Sequence, residues 1–400
     1  MDQPYDVIVA GAGPAGAALA GLLAQAGVRV ALLDKASFPR DKACGEYTSP
    51  QTATVLAQIG ALPFVEQARP RRLPAMRVYA PGGAVFCMDY AAAGGAVLAT
   101  PRRRLDAALV AYATAAGAAL FERTRVVDVL RSDGQAIGVR VRQGGGAAVE
   151  LRAPLVAGAD GAHSAVARAL GVARPLRWPR RLGMVAHYAG VQGCDAWGEM
   201  HVGRHGYCGL APLADGLVNV GIVIDLPGPA AARRPSEARF AAALQAFPTL
   251  ARTLGGARRV TPVRGVGPVG VGAARPCGPG YLLVGDAAGF FDPFTGEGVY
   301  KALRGAALAA PVALAALARG DFSARALAPY RRARRREFFA KDLVCRVVQG
   351  FVQVPAGMDY VAPRLAGRPP QLAIMAGVLG DLLDARQALT PAYLWGLLRP

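Results

Sequence analysis

Three glycines near the start of the chain have the spacing of a turn that binds a dinucleotide. Gly11, Gly13 and Gly16 follow an apolar run and precede a helical stretch. Glycines there permit a tight turn and let the backbone approach a pyrophosphate at a helix N-terminus. In such turns an acidic residue about 20 residues further on accepts hydrogen bonds from ribose hydroxyls, and Asp34 stands near that position. The spacing therefore predicts one tightly bound dinucleotide.

The segments around these glycines predict the βαβ unit that positions them. Asp6 to Ala10 and Arg29 to Leu33 are short apolar, β-prone runs, and Ala17 to Ala26 between them has a helical pattern. Two further buried strands are expected at Val156 to Gly161 and at Tyr281 to Gly285. The second leads into a long helix, so the predicted unit belongs to a parallel sheet covered by helices.

Composition indicates a cytoplasmic protein that is soluble or at most peripheral to a membrane. The first residues lack the basic and apolar regions of a signal peptide. Six cysteines form no CxxC pair and are too sparse for a secreted disulfide scaffold. The alanine-rich stretch from Gly305 to Ala318 contains Pro311, and it is shorter than the roughly 20 apolar residues that span a bilayer.

The net charge of +19 comes almost wholly from arginine, since the chain has four lysines. The densest cluster and the aromatic pair that follows it are Arg331, Arg332, Arg334, Arg335, Arg336, Phe338 and Phe339. A solvated helix face is the ordinary interpretation of such a cluster, and contact with an anionic lipid surface stays open. No nucleic acid partner is expected, because no RNA- or DNA-binding motif accompanies the arginines.

Two other patterns fail the structural context that their chemistry requires. A second GxGxxG match runs from Gly265 to Gly270, but Pro268 lies inside it and no helix follows. His201 and His205 have the spacing of metal ligands on a helix, yet Gly203 lies between them in a β-like pattern. We expect neither a second nucleotide-binding turn nor a metal site.

Three later blocks resemble those of the aromatic hydroxylase superfamily, the group A flavin monooxygenases. They are GADG from Gly158 to Gly161 with Ser164 and Arg168, FPRDKACGE from Phe38 to Glu46, and GDAAGFFDPFTGEG from Gly285 to Gly298. Within that superfamily the chain is most similar to the geranylgeranyl reductase family, over nearly its whole length. The resemblance implies that the dinucleotide is FAD and that the protein is an FAD-dependent oxidoreductase.

The implied fold class is α/β. A Rossmann-like FAD-binding domain, a parallel sheet with helices, is interleaved with an α+β substrate domain built on an antiparallel sheet. The expected limits are 1–70, 100–172 and 273–330 for the FAD-binding domain, 71–99 and 173–272 for the substrate domain, and 331–400 for a C-terminal helical segment. The apolar tail from Leu372 to Leu398 caps the active site or meets a membrane, two roles that the sequence leaves open.

The same resemblance assigns residues to the cofactor. Asp286 is expected to hold the ribityl chain, the backbone around Thr295 to Gly298 to face the flavin pyrimidine, and Arg40 to meet the pyrophosphate. A helix that starts near Gly296 points its dipole at flavin N1 and the C2 oxygen, which stabilises the reduced ring. The full expected set is Gly11, Gly13, Pro14, Ala15, Gly16, Asp34, Lys35, Arg40, Cys44, Gly45, Arg102, Val127, Asp160, Gly161, Gly285, Asp286, Pro293, Gly296, Glu297 and Gly298.

Details of these blocks favour the reductase branch. Simple aromatic hydroxylases usually carry histidine where Gly289 stands and glutamine where Glu297 stands, and the loop at Cys44-Gly45 also resembles the reductases. Reduction of an alkene needs a hydride from flavin N5 and a proton on the other carbon, which a thiol can donate. Cys44 is therefore the expected catalytic residue, as proton donor or in shaping the substrate face, and Glu46 tunes or replaces it. A small cysteine lining the pocket is the alternative.

The expected substrate pocket departs from that of prenyl-chain reductases. Where these resemble Tyr-x-Trp-x-Phe-Pro, this chain has Tyr207, Gly209, Ala211 and Pro212. Small residues at the two aromatic positions open the pocket to a bulkier hydrophobic substrate such as a polyketide, quinone or lipid. The next segment, Val218-Asn219-Val220-Gly221, matches the family again.

Reduction of a carbon–carbon double bond is the leading expectation, with electrons from NAD(P)H or from a flavin- or ferredoxin-type partner reductase. Two alternatives stay open: an NAD(P)H-dependent FAD monooxygenase that hydroxylates an aromatic or polyketide substrate, and a membrane-associated binding protein with a structural FAD. A halogenase is disfavoured, because Trp178, Trp197 and Trp395 do not form the Trp-x-Trp-x-Ile-Pro signature of that class.

Overall fold

The computed structural model of the protein describes residues 5–176, 178, 180–226 and 236–399. The first four residues and Pro400, which belong to the predicted outer segments, lie outside the described residues. The strands are β1 Val7–Ala10, β2 Val30–Leu33, β3 Arg71–Leu73, β4 Ala75–Tyr79, β5 Val85–Asp89, β6 Val97–Ala99, β7 Ala119–Phe121, β8 Thr124–Ser132, β9 Gln135–Gln143, β10 Ala148–Arg152, β11 Leu155–Gly158, β12 Ala173–Pro175, β13 Arg181–Ala189, β14 Gly198–Gly203, β15 Gly206–Pro212, β16 Leu217–Asp225, β17 Arg258–Arg259, β18 Arg264–Val269, β19 Val271–Ala273, β20 Cys277–Gly278, β21 Tyr281–Leu283 and β22 Gly289–Phe290. The α-helices are α1 Pro14–Gln25, α2 Thr52–Gln58, α3 Leu62–Gln67, α4 Arg102–Ala115, α5 Ala165–Ala169, α6 Glu237–Gln245, α7 Pro248–Thr253, α8 Gly298–Arg319, α9 Ala324–Gln353, α10 Pro355–Ala366, α11 Pro369–Leu379 and α12 Pro391–Leu398.

A largely parallel sheet forms the first layer of the fold. Its strand order is β20-β21-β11-β1-β2-β7, with Val7 paired to Val30 on one side and to Leu155 on the other. The central strands β1, β2 and β11 are short apolar runs that are buried along their whole length, as expected for a parallel sheet covered on both faces. The predicted Rossmann-like α/β architecture is confirmed.

Helix α8 is the apolar helix that crosses the core of this layer. It packs against α1, and Ala306, Ala309 and Ala313 are fully buried in the cluster that both helices share. Among the described residues α8 is the one helix long and apolar enough to cross a membrane, with 44% of its most apolar window buried. The expectation of a stretch too short to span a bilayer was wrong on length, because the helix continues through Pro311 and begins seven residues before the alanine-rich stretch.

An antiparallel sheet forms the second layer. Its order is β17-β13-β16-β15-β14-β4-β5, with β18 pairing to β13. All neighbours are antiparallel except β14 and β4. The strands come from two separate stretches of the chain, so this layer is interleaved with the Rossmann layer as predicted. The exact domain limits stay a prediction.

The second GxGxxG match and the His201–His205 pair, which were set aside on sequence grounds, lie on strands of this second layer and in the turns beside them. Gly265 and Gly267 belong to β18, which pairs with β13. His201 belongs to β14, and its ring nitrogens contact Glu199 and Thr249 at 2.8 and 3.0 Å. Neither segment has the helix that its chemistry would require.

The C-terminal helices cover the inner face of the antiparallel sheet. Met76 and Met88 of β4 and β5 share one buried cluster with Met358 of α10, Val378 of α11 and Leu397 of α12. The apolar tail from Leu372 to Leu398, whose role the sequence left open, therefore packs largely against the protein's own sheet.

The contact between α1 and α4 offers a direct test of the packing in the first layer. A Cβ atom at Gly21 of α1 would lie 2.2 Å from the ring of Tyr112, whose hydroxyl donates to the Ile59 carbonyl oxygen at 2.8 Å. We expect Gly21→Ala to lower the free energy of unfolding by about 1–3 kcal/mol through overpacking. The matched control is Gly350→Ala in α9, where a Cβ meets no atom within 4 Å. We expect it to stabilise by up to about 1 kcal/mol. Urea unfolding measures the free energy of unfolding of both variants, and an equal change in the two would contradict the expected overpacking at Gly21.

Candidate active site

The glycine-rich turn between β1 and α1 is built so tightly that side chains are excluded. Gly11 has a φ of +99°, and a Cβ there would lie 2.5 Å from the Ala159 carbonyl oxygen. A Cβ at Gly16 would lie 1.8 Å from the Gly11 carbonyl oxygen. Gly13 caps the helix and Pro14 is its first residue, with Ala15 buried behind it. The turn thus presents bare backbone and a helix N-terminus to the cleft.

Asp34 holds this turn from the end of β2. Its carboxylate accepts from the Ala12 and Ala36 amides, each at 2.9 Å. Lys35, the next residue, is exposed. Val127 lies at an irregularity of β8 where the ladder to β9 shifts register, and 39% of it is exposed. Asp34 therefore lies against the glycine-rich turn, whereas Lys35 and Val127 are exposed and their predicted contact with the cofactor stays a prediction.

Three cationic side chains converge beside the turn. One nitrogen of Arg40 lies 2.9 Å from the carboxylate of Asp106, which also receives two hydrogen bonds of 2.8 Å from Arg102. The ammonium of Lys42 lies 3.5 Å from the position that a Cβ on Gly161 would take. Burial and the nearby Arg102 lower the pKa of Lys42. Arg40 also lies 3.5 Å from the carboxylate of Asp34. The cluster therefore gathers three cationic side chains beside the turn, and such groups suit an anionic ligand.

The GADG block supplies a buried carboxylate with a free acceptor. Asp160 Oδ2 accepts from the amides of Ala165 and Val166 at the start of α5, at 2.6 and 3.3 Å. Its Oδ1 is buried and has no hydrogen-bond partner. Burial raises the pKa of Asp160, against these hydrogen bonds. Unpaired buried oxygens are costly, so this atom is a strong candidate for a ligand contact.

The GDAAG block brings a second bare turn to the cleft. Gly285 has a φ of +59°, and its Cβ would lie 2.8 Å from the side chain of Ala15. Asp286 follows it and is near enough to Lys42 for its charge to raise the pKa of that amine, against the larger effect of burial. Gly296, at a φ of +68°, packs against the Tyr47 carbonyl oxygen, and α8 begins at Gly298. The backbone just before α8, in the loop that also carries Pro293, thus lies against the segment that follows Cys44.

The carboxylate of Glu297 points away from this cleft. It contacts Lys301 and lies 3.7 Å from the ammonium of Lys341, and the Cys345 thiol donates to it at 3.2 Å. Burial opposes ionisation, yet the two lysines lower the pKa of Glu297. The expected cofactor residue therefore contributes the backbone at the start of α8, while its side chain binds the C-terminal helices.

Glu46 joins the Cys44 loop to the antiparallel sheet. One of its oxygens accepts from the Arg102 amide at 2.8 Å, at the first residue of α4. The other accepts from Asn219 Nδ2 at 2.9 Å and lies 2.6 Å from His187 Nε2. Asn219 also donates to the Cys44 carbonyl oxygen at 2.9 Å. The two predicted catalytic residues are therefore brought together, with Cys44 partly exposed and Gly45 exposed beside it.

Sequence reasoning missed His187 and the catalytic-site position of Asn219. The two residues are directly paired across β13 and β16. The hydrogen bond to the Glu46 carboxylate raises the pKa of His187, although burial lowers it. Asn219 lies in the VNVG segment that resembles the family, which was a usable signal. His187 had none, because a single histidine in a β-like run is more often structural.

A second polar cluster stands at the other end of the inner face. The hydroxyl of Tyr207 donates to Asp292 at 2.6 Å, and the fully buried Arg181 donates to Asp292 at 2.9 Å. Gln349 of α9 donates to the same carboxylate at 2.7 Å. Tyr207 is thus part of a buried network that fixes the loop before Gly296, and its hydroxyl is already used.

Between the two polar clusters the inner face is lined by glycine. Gly209 and Gly221 are directly paired, and an added Cβ at either would come no closer than 3.5 Å to another group. Ala211 lies on the same face of β15 as Gly209 by strand alternation. Pro212 lies on the opposite face, paired with Val218 of the outer cluster. Gly209 and Ala211 therefore lie on the inner face, where a role in the pocket stays a prediction, whereas the assignment of Pro212 to the pocket is corrected.

Comparison with known proteins identifies the dinucleotide. A family model described as FAD binding domain matches residues 4–347. The chain belongs to this family of FAD-binding flavoproteins. It is similar to the digeranylgeranylglycerophospholipid reductase of Methanosarcina acetivorans, 30% identical over 407 residues that cover 99% of this chain and 96% of that protein. It is also 30% identical to the menaquinone reductase of Mycolicibacterium smegmatis, over 78% of this chain and 76% of that one.

Solved structures support the same fold. A geranylgeranyl bacteriochlorophyll reductase-like protein from Thermoplasma acidophilum is 22% identical, with a TM-score of 0.79 over 96% of this chain and 99% of that one. A myxobacterial chondrochloren halogenase is 24% identical, with a TM-score of 0.78 over 96% and 98%. At these identities the likeness concerns the fold alone. The resemblance to the geranylgeranyl reductase family is confirmed by the curated relatives, and the protein is an FAD-dependent oxidoreductase.

The residues of this flavoprotein fit FAD. The cradle formed by Gly11 and Gly16 is one that a Cβ would fill. The unpaired Asp160 oxygen suits a hydroxyl group of the dinucleotide, and the cationic side chains of Arg40 and Lys42 beside the turn suit its pyrophosphate. Asp34 keeps acceptor capacity for ribose hydroxyls beyond its two amide contacts. These observations are independent of the sequence comparisons.

Affinity for FAD tests the cationic cluster. We expect Arg40→Met to weaken FAD binding by about 10- to 100-fold, because a charge-assisted hydrogen bond contributes about 1.5–3 kcal/mol. Arg103→Met is the matched control, since Arg103 is exposed and reaches the rim residue Asp41 at 3.5 Å. Fluorescence titration of the deflavinated proteins measures both affinities. An equal loss in both variants would contradict the assignment.

The His187–Glu46 contact predicts a pH dependence of stability. Because the pKa of His187 is raised in the folded state, its contribution is fully present below the unfolded pKa of about 6.5 and is lost as pH rises through the folded value. We expect the free energy of unfolding to fall with pH in that window, and His187→Gln to flatten this dependence. His205→Gln, at an exposed histidine, should keep the parent profile. Urea unfolding measured across this pH window gives the free energy of unfolding at each pH. A slope against pH in His187→Gln equal to that of the parent would refute the prediction.

Proposed function

We propose that this flavoprotein reduces a carbon–carbon double bond of a hydrophobic small molecule. The observation that carries the proposal is the 2.6 Å contact between His187 Nε2 and Glu46 Oε2, beside the Cys44 loop. When bound, FAD supplies the hydride for such a reduction, and a proton must reach the other carbon. A histidine with a raised pKa, held at the cofactor loop, suits the storage of that proton.

His187 can also exchange its proton with solvent. Its side chain is 18% exposed, whereas Glu46 is 5% exposed. The other ring nitrogen, Nδ1, lies 3.3 Å from the hydroxyl of Thr261, which also accepts from the His187 amide at 2.9 Å. The imidazole is thus oriented from both sides, and the contact with Glu46 gives a proton a route from the partly exposed ring toward the buried loop. Cys44 stays a second candidate donor at the end of this route.

The glycine-lined inner face supports a bulky substrate. Gly209, Gly221 and Ala211 leave width over the centre of the sheet that aromatic side chains would fill. The names of the relatives concern menaquinone and a digeranylgeranyl phospholipid. Both are isoprenoid compounds that carry a head group in addition to the prenyl chain. We infer an isoprenoid quinone or lipid as the substrate class, with polyketides as the alternative.

NAD(P)H is the proposed electron donor, and a flavin- or ferredoxin-type partner reductase is the alternative. The second GxGxxG match forms part of β18 and pairs with β13, so it supports no separate nicotinamide domain. A nicotinamide donor would therefore meet the flavin only transiently. We place the protein in the cytoplasm, to which its six free cysteines are suited.

The reaction can be tested without oxygen. The reduced holoenzyme is mixed anaerobically with menaquinone or a geranylgeranylated lipid, and flavin absorbance and product mass are followed. We expect the flavin to reoxidise while the product gains two hydrogens, one of them from solvent. In His187→Gln we expect this step to slow by about 100-fold or more, with KM unchanged.

The same assay includes a control variant and has outcomes that would contradict the proposed reaction. His205→Gln should react at the parent rate and retain full flavin. Reoxidation that needs oxygen, with a product that gains one oxygen atom, would make the protein a monooxygenase. An unchanged rate in His187→Gln together with a slow Cys44→Ala variant would assign the proton to the thiol instead.

A further inference from the structure

The solvent-facing side of α9 carries an apolar row where a soluble helix is usually polar. Phe339, Leu343 and Val347 are 59%, 40% and 43% exposed, and Val354 at the end of the helix is 55% exposed. Their spacing of four, four and seven residues places them on one side of the helix. Residues of this size and exposure are unusual on a face that meets only water.

Arginines flank the apolar row on the same side. Arg332, Arg335, Arg336 and Arg346 are exposed, and the guanidinium of Arg335 lies 5.6 Å from the centre of the Phe339 ring. Of the two acidic residues of α9, Glu337 lies on the opposite side and pairs with Arg304. Asp342 lies at the edge of this side and pairs with Lys301, which offsets its charge. We call this surface, from Arg332 to Val354, the α9 stripe.

A neighbouring element extends the positive end of the α9 stripe. Arg386, from the short turn before α12, joins Arg332, Arg335 and Arg336 around an open cavity of about 320 Å³. At the other end Trp178, 45% exposed, donates to Gln353 at 3.0 Å. An aromatic side chain with one polar contact is typical of a membrane–water interface.

We propose that the α9 stripe docks the protein on an anionic lipid bilayer. Interleaved arginines and large apolar side chains match a surface with negative head groups over a hydrocarbon layer. A second copy of this chain is a poor occupant, because both copies carry a net charge of +19. Nucleic acid would use the arginines but leave Leu343, Val347 and Val354 without a partner.

Docking in this orientation brings the loop from Gly285 to Glu297, which we call the flavin loop, close to the bilayer. The inner side of α9 contacts that loop, since Gln349 donates to Asp292 and Cys345 donates to Glu297. The stripe and the loop are thus separated by one helix, whose diameter is about 10–12 Å. A substrate dissolved in the membrane would have a short path to the site, but the docking itself does not depend on the proposed reaction.

Vesicle flotation tests the docking with the flavin-loaded protein. The vesicles contain phosphatidylglycerol and phosphatidylcholine in equal parts, or phosphatidylcholine alone. We expect flotation with the anionic vesicles, weakening as salt is raised. Arg332→Glu with Arg335→Glu, and separately Phe339→Ser with Leu343→Ser, should each lower the affinity about tenfold or more.

The matched control removes the same charge elsewhere. Arg125 and Arg142 are exposed and face each other across β8 and β9, so Arg125→Glu with Arg142→Glu changes the net charge by an equal amount. We expect this variant to float like the parent. Circular dichroism and flavin content verify that each variant is folded.

Four results would overturn the proposal. They are failure of the parent to float with anionic vesicles, parent-like flotation of both stripe variants, an equal loss in the Arg125 and Arg142 control, and binding to a polyuridine RNA without any flotation. The last result would assign the stripe to nucleic acid.

Discussion

The buried carboxylate of Glu46 connects the two layers of the flavoprotein by accepting hydrogen bonds from both of them. Its donors come from three elements: the first amide of α4 in the Rossmann layer, and Asn219 and His187 on two strands of the antiparallel sheet. Glu46 itself has a φ of +55°, which is unfavourable for a residue with a side chain. The surrounding hydrogen bonds hold the loop in this conformation. The position of Cys44 relative to the sheet is set by the same contacts.

A second set of buried polar contacts fixes the opposite end of the inner face. The carboxylate of Asp292 accepts hydrogen bonds from Tyr207, Arg181 and Gln349. Burying such charges costs desolvation free energy, so the network adds orientation more than stability. Because one cluster holds the Cys44 loop and the other holds the loop before Gly296, the glycine-lined surface between them has both ends fixed by the protein.

Much of the fold was readable from the sequence because its signals are local. Buried runs of valine and leucine, glycines with fixed spacing and an acidic residue at the end of β2 predict the βαβ unit and the strands β11 and β21 of the Rossmann layer. His187 and Arg181 were not predictable, since their roles depend on strand register that brings distant residues together. The side-chain contacts of Glu297 were not predictable for a related reason: its lysine partners are on α8 and α9, and no spacing rule links Glu297 to Lys341. Pro212 was assigned to the pocket from a matched motif, and strand alternation places it on the other face.

Lys341 gives the C-terminal helices a direct link to the flavin loop. Its ammonium donates to the Val378 and Leu379 carbonyl oxygens and to Asp381, and it lies 3.7 Å from the Glu297 carboxylate. Proteolysis or truncation after α10 would strip this amine of three acceptors and leave Glu297 as its remaining partner at the start of α8. The C-terminal helices therefore cannot be exchanged among relatives as an independent module. Any graft has to bring its own partner for Lys341, or the cofactor site changes with it.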